Sequence, residues 1–356
     1  MATFEQRESG WWQAKIRRKG YPVQSKTFRL RTDAEAWARQ IENEIDRGIF
    51  VSRAEAETTT LYTALGRYDR EISSLKKGHD PEKYRIAAWR ESKLAKRPLA
   101  SLRASDFAEY RDVRLAAGAS AATIRNDLAV ISHLFSTCAK EWGIPVVNPI
   151  ANIRLPRANN ARNRRLVHDE ENRLLSALDA AEKAGGGQKT NIWMKPAFIV
   201  AIETAMRQGE LLSLRWEHVN LKRRVAHLPE TKNGDARDVP LSSRAVKTLE
   251  ALPKAIRGSV FMTTASALDQ SWRRCVARAR RMYEKELRNA GIPSSQITDD
   301  PLLLNLTWHD LRHEGTSRLA EKLSMHELMK VTGHKDTRML ARYYHPKAED
   351  LARKIG

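Results

Sequence analysis

The sequence predicts a mainly α protein with small β elements, laid out as three folded segments. Three observations carry that prediction. Apolar residues recur at helical spacing through residues 59–148 and again from Leu166 onward, whereas strand-like alternation is confined to residues 11–31 and 224–241. Two stretches without periodicity, 51–58 and 154–165, separate these blocks. At 356 residues the chain is also long for a single core.

Residues 1–50 read as a small sheet-plus-helix domain. Trp11, Trp12, Ala14 and Ile16 open a strand that turns at Lys19 and Gly20, and residues 21–31 alternate as a second one. Thr32 or Asp33 is the expected cap of a helix whose apolar face carries Ala36, Trp37, Ile41 and Ile45, with Gly48 ending it. Lys15, Arg17, Arg18, Lys19, Lys26, Arg29 and Arg31 give the sheet a basic face suited to a DNA groove, or to solvent alone.

Residues 59–153 read as a four-helix bundle. The first helix carries Leu61, Leu65 and Tyr68; the second, after Asp80 and Pro81, carries Tyr84, Ile86 and Trp89. The third, capped by Ser105, carries Phe107 and Tyr110. The fourth runs from Ala121 through Ile124, Leu128, Ile131, Leu134 and Phe135 to Trp142, where Gly143 and Asn148-Pro149 stop it. Residues 154–165 hold five arginines (Arg154, Arg157, Arg162, Arg164 and Arg165) and no acid, the pattern of an extended basic linker crossing a phosphate backbone or of an inert tether. Residues 166–356 form the third domain, helical apart from one hairpin whose strands, 224–228 and 237–241, flank a turn at 232–235. The glycine-rich patch 185–190 lacks the strand that a phosphate loop needs and reads as an interhelical loop.

Composition narrows the function. Lys+Arg is 63 against Asp+Glu 43, a formal net charge of +20 and a pI near 10.1, so a polyanionic partner is expected, nucleic acid ahead of an acidic membrane surface. The two cysteines, Cys138 and Cys275, form no CxxC pattern, which argues against a disulfide framework or a Cys-rich zinc site. No signal region opens the chain and no apolar run approaches a bilayer span, so a soluble, cytoplasmic protein is expected.

Four places in the third domain suit phosphodiester chemistry. Arg207 sits at a junction between two apolar helical runs, with Glu210 three residues on to orient it. Lys232 lies at the hairpin tip. His309 and Arg312, at i and i+3, share a helix face on which imidazole and guanidinium can address one phosphate, and Thr307 can cap that helix. His309 and His313, at i and i+4, also have metal-pair spacing, but the zinc-protease pattern needs Glu where Asp310 stands, and no third ligand is evident. His334 falls on a turn after Gly333. Tyr343 and Tyr344 follow on a helix, where neighbouring side chains point about 100° apart and cannot share one buried stripe.

Taken in order, Met206-Arg207-Gln208-Gly209-Glu210-Leu211, Lys232, His309-Asp310-Leu311-Arg312-His313, Gly333-His334 and Tyr343-Tyr344-His345 resemble the motifs of the tyrosine recombinase (phage integrase) family. The resemblance extends to the bundle as a core-binding domain and, more weakly, to residues 1–50 as an arm-type DNA-binding domain. Residues 228–234 and 237–241 look like plasmid shufflon recombinases as well as phage integrases. At Ala205 the chain departs from the glycine common in the family.

The resemblance implies a mixed α+β catalytic domain and a site-specific DNA recombinase for integration, excision or inversion. Tyr343 would attack the scissile phosphate and leave a 3′-phosphotyrosyl link. Arg207 and Arg312 would clamp its oxygens, Lys232 would protonate the leaving 5′-oxygen, His309 would accept the tyrosine proton, His334 would donate to the phosphate, and Glu210 would support the site. Neither metal nor other cofactor is required, since the cations neutralise the phosphate and the covalent link conserves bond energy. Arg17, Arg18 and Lys19 and the five linker arginines are the expected DNA contacts. Double-stranded DNA, a homotetramer on two paired sites and DNA-bending or directionality factors are the expected partners, with no membrane, in a bacterial or phage-encoded, nucleoid-associated protein. The 13 residues after Tyr343 suffice for a short helix docking on a neighbouring protomer. A type IB topoisomerase and a catalytically silent DNA-binding protein are the alternatives.

Overall fold

A computed structural model describes residues 2–48, 50, 52–158, 162, 164–183, 191–230, 235–253 and 258–344. The chain divides into two compact units, Met1–Asn160 and Ala161–Gly356, with the division inside the basic stretch 154–165.

The first unit holds two separate cores. Its N-terminal part is a three-stranded antiparallel meander, β1 (Ala2–Gln6), β2 (Trp12–Ile16) and β3 (Gln24–Phe28), backed by α1 (Arg31–Asp46). Strand β1 went unread in the sequence because Phe4 is its only large apolar residue. The register places Phe4 and Lys26 opposite Ala14, and Phe28 opposite Trp12, on the face that packs on α1, where Ala14 and Ile16 are buried. Thr3, Glu5, Gln13, Lys15, Ser25 and Thr27 therefore share the open face. This corrects the expected basic face: of its strand residues only Lys15 points that way, and Lys26 stands on the opposite side. Arg18 pairs with Asp46, at the end of α1. Neither Thr32 nor Asp33 caps α1, which begins at Arg31 after an extended Leu30, and the helix buries Ala34, Ala38 and Ile45 while Ala36 is exposed.

After the short α2 (Ala54–Thr58), the bundle consists of α3 (Leu61–Glu71), α4 (His79–Glu91), α5 (Ala104–Ala116) and α6 (Ala121–Lys140). Leu61, Leu65 and Tyr68 meet Ile86, Trp89, Phe107 and the α6 stripe Ile124, Leu128, Ile131, Leu134 and Phe135. Phe107 sits edge-on to both Trp89 and Phe135, at 5.9 and 6.4 Å between ring centres. Two expectations fail locally. Tyr84 is exposed, and α5 is started not by Ser105 but by Asp106, which reaches back to the Arg103 amide (2.7 Å) and also takes Arg97 (2.6 Å).

The second unit is built on α7 (Glu170–Lys183), α8 (Met194–Thr204), α9 (Gln208–Leu212), α10 (Ser243–Glu250), α11 (Ala265–Asn289), α12 (Ser294–Asp299), α13 (Trp308–Ala320), α14 (Met325–Thr332) and α15 (Thr337–Ala341). A small antiparallel sheet, β4 (Val219–Asn220), β5 (Val225–Leu228) and β6 (Arg237–Pro240), lies beside them. Helix α8 is apolar nearly all round, burying Ala197, Phe198, Val200, Ala201 and Ile202, as a central helix must. Trp272 of α11 stacks on Phe198 and meets Trp308 edge-on. Gly315 is where α13 crosses α8: a β-carbon there would stand 2.3 Å from the Ile202 carbonyl oxygen.

The basic stretch is not an open tether within the described residues. Arg111 donates to the Arg154 carbonyl (2.6 Å) in the first unit. In the second, Arg162 forks onto Asp310 (2.6 and 2.7 Å), Arg164 pairs with Glu170, and Arg165 reaches Glu314 (3.1 Å). In the DNA-free chain these three arginines are therefore paired with carboxylates rather than held out in solvent. Buried Asp310, Glu170 and Glu314 need cations, and a neighbouring arginine meets that need without desolvating a second charge elsewhere.

Candidate active site

Helix α8 ends at Ala205, whose φ of 52° is left-handed, and this turn delivers Arg207 to the first position before α9. The conformation suits glycine better than alanine, which accounts for the glycine common in the family at this place. Glu210 then caps α9 from within. Its Oε2 accepts from the Arg207 amide (2.8 Å), and its Oε1 accepts from the Arg207 guanidinium (2.8 Å).

Arg312 lies on α13 and is almost fully buried. Its Nη1 donates to the Ala205 carbonyl (2.6 Å) and its Nη2 to the Thr332 carbonyl at the end of α14 (2.7 Å). Burial and the neighbouring Arg207 charge push its pKa down to about 9. Helix α14 closes with a left-handed Gly333, φ 68°, and the chain turns so that His334 Nε2 stands 3.5 Å from Arg312 Nη2. Thr332 Oγ1 donates its proton to the Leu328 carbonyl (2.6 Å), so the His334 Nδ1–H donates to Thr332 Oγ1 (2.7 Å) and Nε2 carries no proton in the neutral ring. Burial, then Arg312 and Arg207, hold this imidazole down at about 3.

Tyr343 follows α15, half-buried, with its hydroxyl hydrogen-bonded to Nδ1 of His313. The expected partner, His309, is exposed on the same helix, its ring edge-on to His313 at 4.9 Å. Burial raises the Tyr343 pKa above its ordinary value, against the lowering influence of Arg342, which lies over its ring at 4.9 Å. His313, nearly buried itself, is pushed down to about 4 by burial and by His309. Thr307 is the N-cap residue of α13, as expected, in a capping box with Asp310. Asp310 reaches back to it, accepting from the Thr307 amide (2.7 Å) and hydroxyl (2.9 Å) while holding Arg162.

The fold thus gathers Arg207, Glu210, Arg312 and His334 around the ends of α8 and α14, with His309, His313 and Tyr343 along one side of α13. Lys232 lies outside the described residues, as do His345, the patch 185–190 and the 12 residues after Tyr344; the strands that flank Lys232 are β5 and β6. Among the described residues no group of three His, Cys, Asp or Glu is placed to hold a metal.

Sequence reading missed two members of the site. Arg237 forms a bidentate pair with Glu210 (2.9 and 2.8 Å), and His313 was weighed only as a metal partner. A signal for Arg237 was present: on β6 it shares a face with buried Val239, so its guanidinium had to point inward and find an anion.

Comparison with known proteins agrees with this constellation. Residues 164–350 match the phage integrase family. The chain is 38% identical over 305 residues to the shufflon-specific DNA recombinase of Escherichia coli, covering 83% of this chain and 71% of that protein. Its fold is similar to that of the Tn1549 transposon integrase in complex with circular intermediate DNA (TM-score 0.61, 19% identity, 84% of this chain and 100% of that one). It is likewise similar to a lambda integrase tetramer bound to a Holliday junction (TM-score 0.60, 20% identity, 96% and 94%). With two arginines, two histidines and a tyrosine in family order around one site, and a family match over more than half its length, this chain belongs to the phage integrase family of tyrosine recombinases.

Proposed function

We propose that this site-specific recombinase cuts and rejoins double-stranded DNA through a covalent bond from Tyr343 to the 3′-phosphate. The phenol oxygen bonds to phosphorus as the P–O5′ bond breaks. Its proton passes to an imidazole of α13, and Lys232 supplies a proton to the leaving 5′-oxygen. Arg207 and Arg312 stabilise the charge that develops on the non-bridging oxygens, acting as preorganised donors in a half-buried site. The observation that carries this reading is the position of Arg312: its two backbone carbonyl partners tie it both to the Ala205 turn that leads into Arg207 and to the turn that carries His334. Rejoining runs the same steps backward on a new 5′-hydroxyl, so no ATP enters.

The net charge of +20 favours DNA, and the open sheet face with Lys15, the turn with Arg17 and Lys19, and Arg154 and Arg157 are the contacts we assign to it. Exchange of four strands calls for four protomers on two paired sites, and the Holliday-junction tetramer of a similar fold supports that assembly here. Such a protein works on the DNA of a bacterial cytoplasm, at the nucleoid, in integration, excision or inversion of a mobile element, with DNA-bending or directionality factors as further partners. Among the described residues no helix is long and apolar enough to cross a membrane.

The test is covalent capture. Wild type, Tyr343→Phe and Tyr344→Phe are expressed in a host carrying source DNA, the cells are denatured, and DNA attached to the protein is sequenced. Wild type and Tyr344→Phe are expected to carry DNA from discrete sites, and Tyr343→Phe none. Loss of the adduct only in Tyr344→Phe moves the nucleophile; no adduct in any variant overturns cleavage by this chain.

A further inference from the structure

Arg237 plays no part in the steps above, yet its guanidinium touches three parts of the site. Nη1 and Nη2 grip the two oxygens of Glu210 (2.9 and 2.8 Å), and Nε donates to the Val331 carbonyl at the end of α14 (3.0 Å). A β-carbon on Gly333 would stand 2.9 Å from Nη1, so the turn that carries His334 lies directly against it. The register of β6 opposite β5 fixes this inward direction, with Arg237 paired to Leu228 and Val239 to Ala226.

A carboxylate offers about four acceptor positions. On Glu210 all are taken: Oε1 by Arg207 Nη1 and Arg237 Nη1, Oε2 by the Arg207 amide and Arg237 Nη2. Arg312 Nη1 stands 4.0 Å from Oε2, close enough to be drawn in, but bonds to carbonyls instead. Glu210 carries one negative charge against three guanidinium groups, and Arg237, with two bonds to it and a side chain only 8% exposed, cancels it.

We infer that Arg237 is a positioning residue for strand cleavage: it occupies and neutralises Glu210, so that this carboxylate takes only Nη1 of the Arg207 guanidinium and none of Arg312, and both cations stay aimed at the DNA phosphate. The inference rests on the recombinase chemistry proposed above. Without Arg237, a carboxylate only 5% exposed loses two donors and its counter-charge. The nearest cations able to replace them are Arg207 and Arg312, and each bond they make to Glu210 is one withdrawn from the phosphate. A guanidinium that merely stapled β6 to α14 would have no such effect, because removing Glu210 as well would only deepen the damage.

The experiment uses the full chain and a duplex of a captured site, nicked beside the scissile phosphate so that the phosphotyrosyl adduct accumulates. Single-turnover adduct formation is followed for wild type, Arg237→Gln, Arg237→Lys and the double variant Arg237→Gln/Glu210→Gln. Arg237→Gln is expected to slow cleavage about 100-fold, the scale of a lost preorganised donor, with DNA binding nearly unchanged. The double variant is expected to regain about tenfold, because no carboxylate is left to recruit the arginines. Arg237→Lys, which keeps the charge, is expected to stay within about tenfold of wild type. A rate for Arg237→Gln near wild type overturns the inference, as does a double variant no faster than the single. If Arg237→Gln does not fold, Arg237→Lys decides, and cleavage by it at less than about a hundredth of the wild-type rate overturns the inference. Absence of adduct from wild type itself sinks the recombinase reading, a result distinct from all of these.

Discussion

The Tyr343 hydroxyl bonds to Nδ1 of His313, one helical turn beyond His309, the residue that the family resemblance assigned as its proton partner. Both rings are largely shielded, so the contact satisfies a phenol and an imidazole that water does not reach freely. A double-mutant cycle with His313→Ala and Tyr343→Phe is expected to show a coupling of about 1 kcal/mol in urea unfolding. Additive effects of the two changes mean that the free protein holds Tyr343 elsewhere.

Glu210 sets an acid limit on stability. Burial pushes its carboxyl up, but hydrogen bonds from Arg237 and from the Arg207 amide outweigh that and hold it at about 2, below its ordinary 4.5. A group whose folded pKa is depressed stabilises fully above its unfolded value and loses that contribution as pH falls toward the folded one. The expected loss is on the order of 3 kcal/mol between about pH 4.5 and 2. Glu210→Gln should flatten the unfolding free energy across that window relative to wild type; parallel curves contradict the pairing.

His334 needs a proton to do the work proposed for it. In the DNA-free chain its Nε2 is bare, and its folded pKa of about 3 lies below the ordinary 6.5. Stability from this neutral ring is present above pH 6.5 and declines as pH falls toward 3. A bound phosphate cancels the Arg207 and Arg312 charges that depress the ring and offers Nε2 an acceptor. DNA binding near pH 6 is therefore expected to take up about one proton, read by calorimetry in buffers of different ionisation enthalpy, and His334→Gln should abolish the uptake. Equal uptake by wild type and His334→Gln assigns the proton to another group.

Two backbone positions behind the arginines predict opposite effects. Gly315→Ala places a methyl 2.3 Å from the Ile202 carbonyl and must push α13 off α8. A loss of about 3 kcal/mol in stability is expected, with weaker cleavage because Arg312 travels with α13. Ala205→Gly relieves a left-handed alanine at φ 52° and is expected to raise stability by up to about 1 kcal/mol. Thermal melting of both variants checks the pair, and a stabilised Gly315→Ala excludes the close crossing.

Much of this layout was legible without coordinates. Helical spacing gave α3 and α6, because an apolar face must be buried whatever covers it, and an apolar run gave α8 as a buried helix. Turn residues bounded the hairpin of β5 and β6. Arg207, His309, Arg312, His334 and Tyr343 were legible as well, since their chemistry and order in the chain are local properties of the sequence.

What only the tertiary structure decided is which groups face each other. Periodicity says that Arg237 points inward; folding alone brings it to Glu210, 27 residues away, and to Val331, 94 away. The same holds for Arg162, which looked free for phosphate until Asp310, 148 residues on, met it. Lys15 and Lys26 differ likewise, because register alone divides them between the two faces of the sheet. Burial propensity is written residue by residue, but the partner of a charge is whichever opposite charge the packed chain brings within hydrogen-bond reach, and no local pattern encodes that distance.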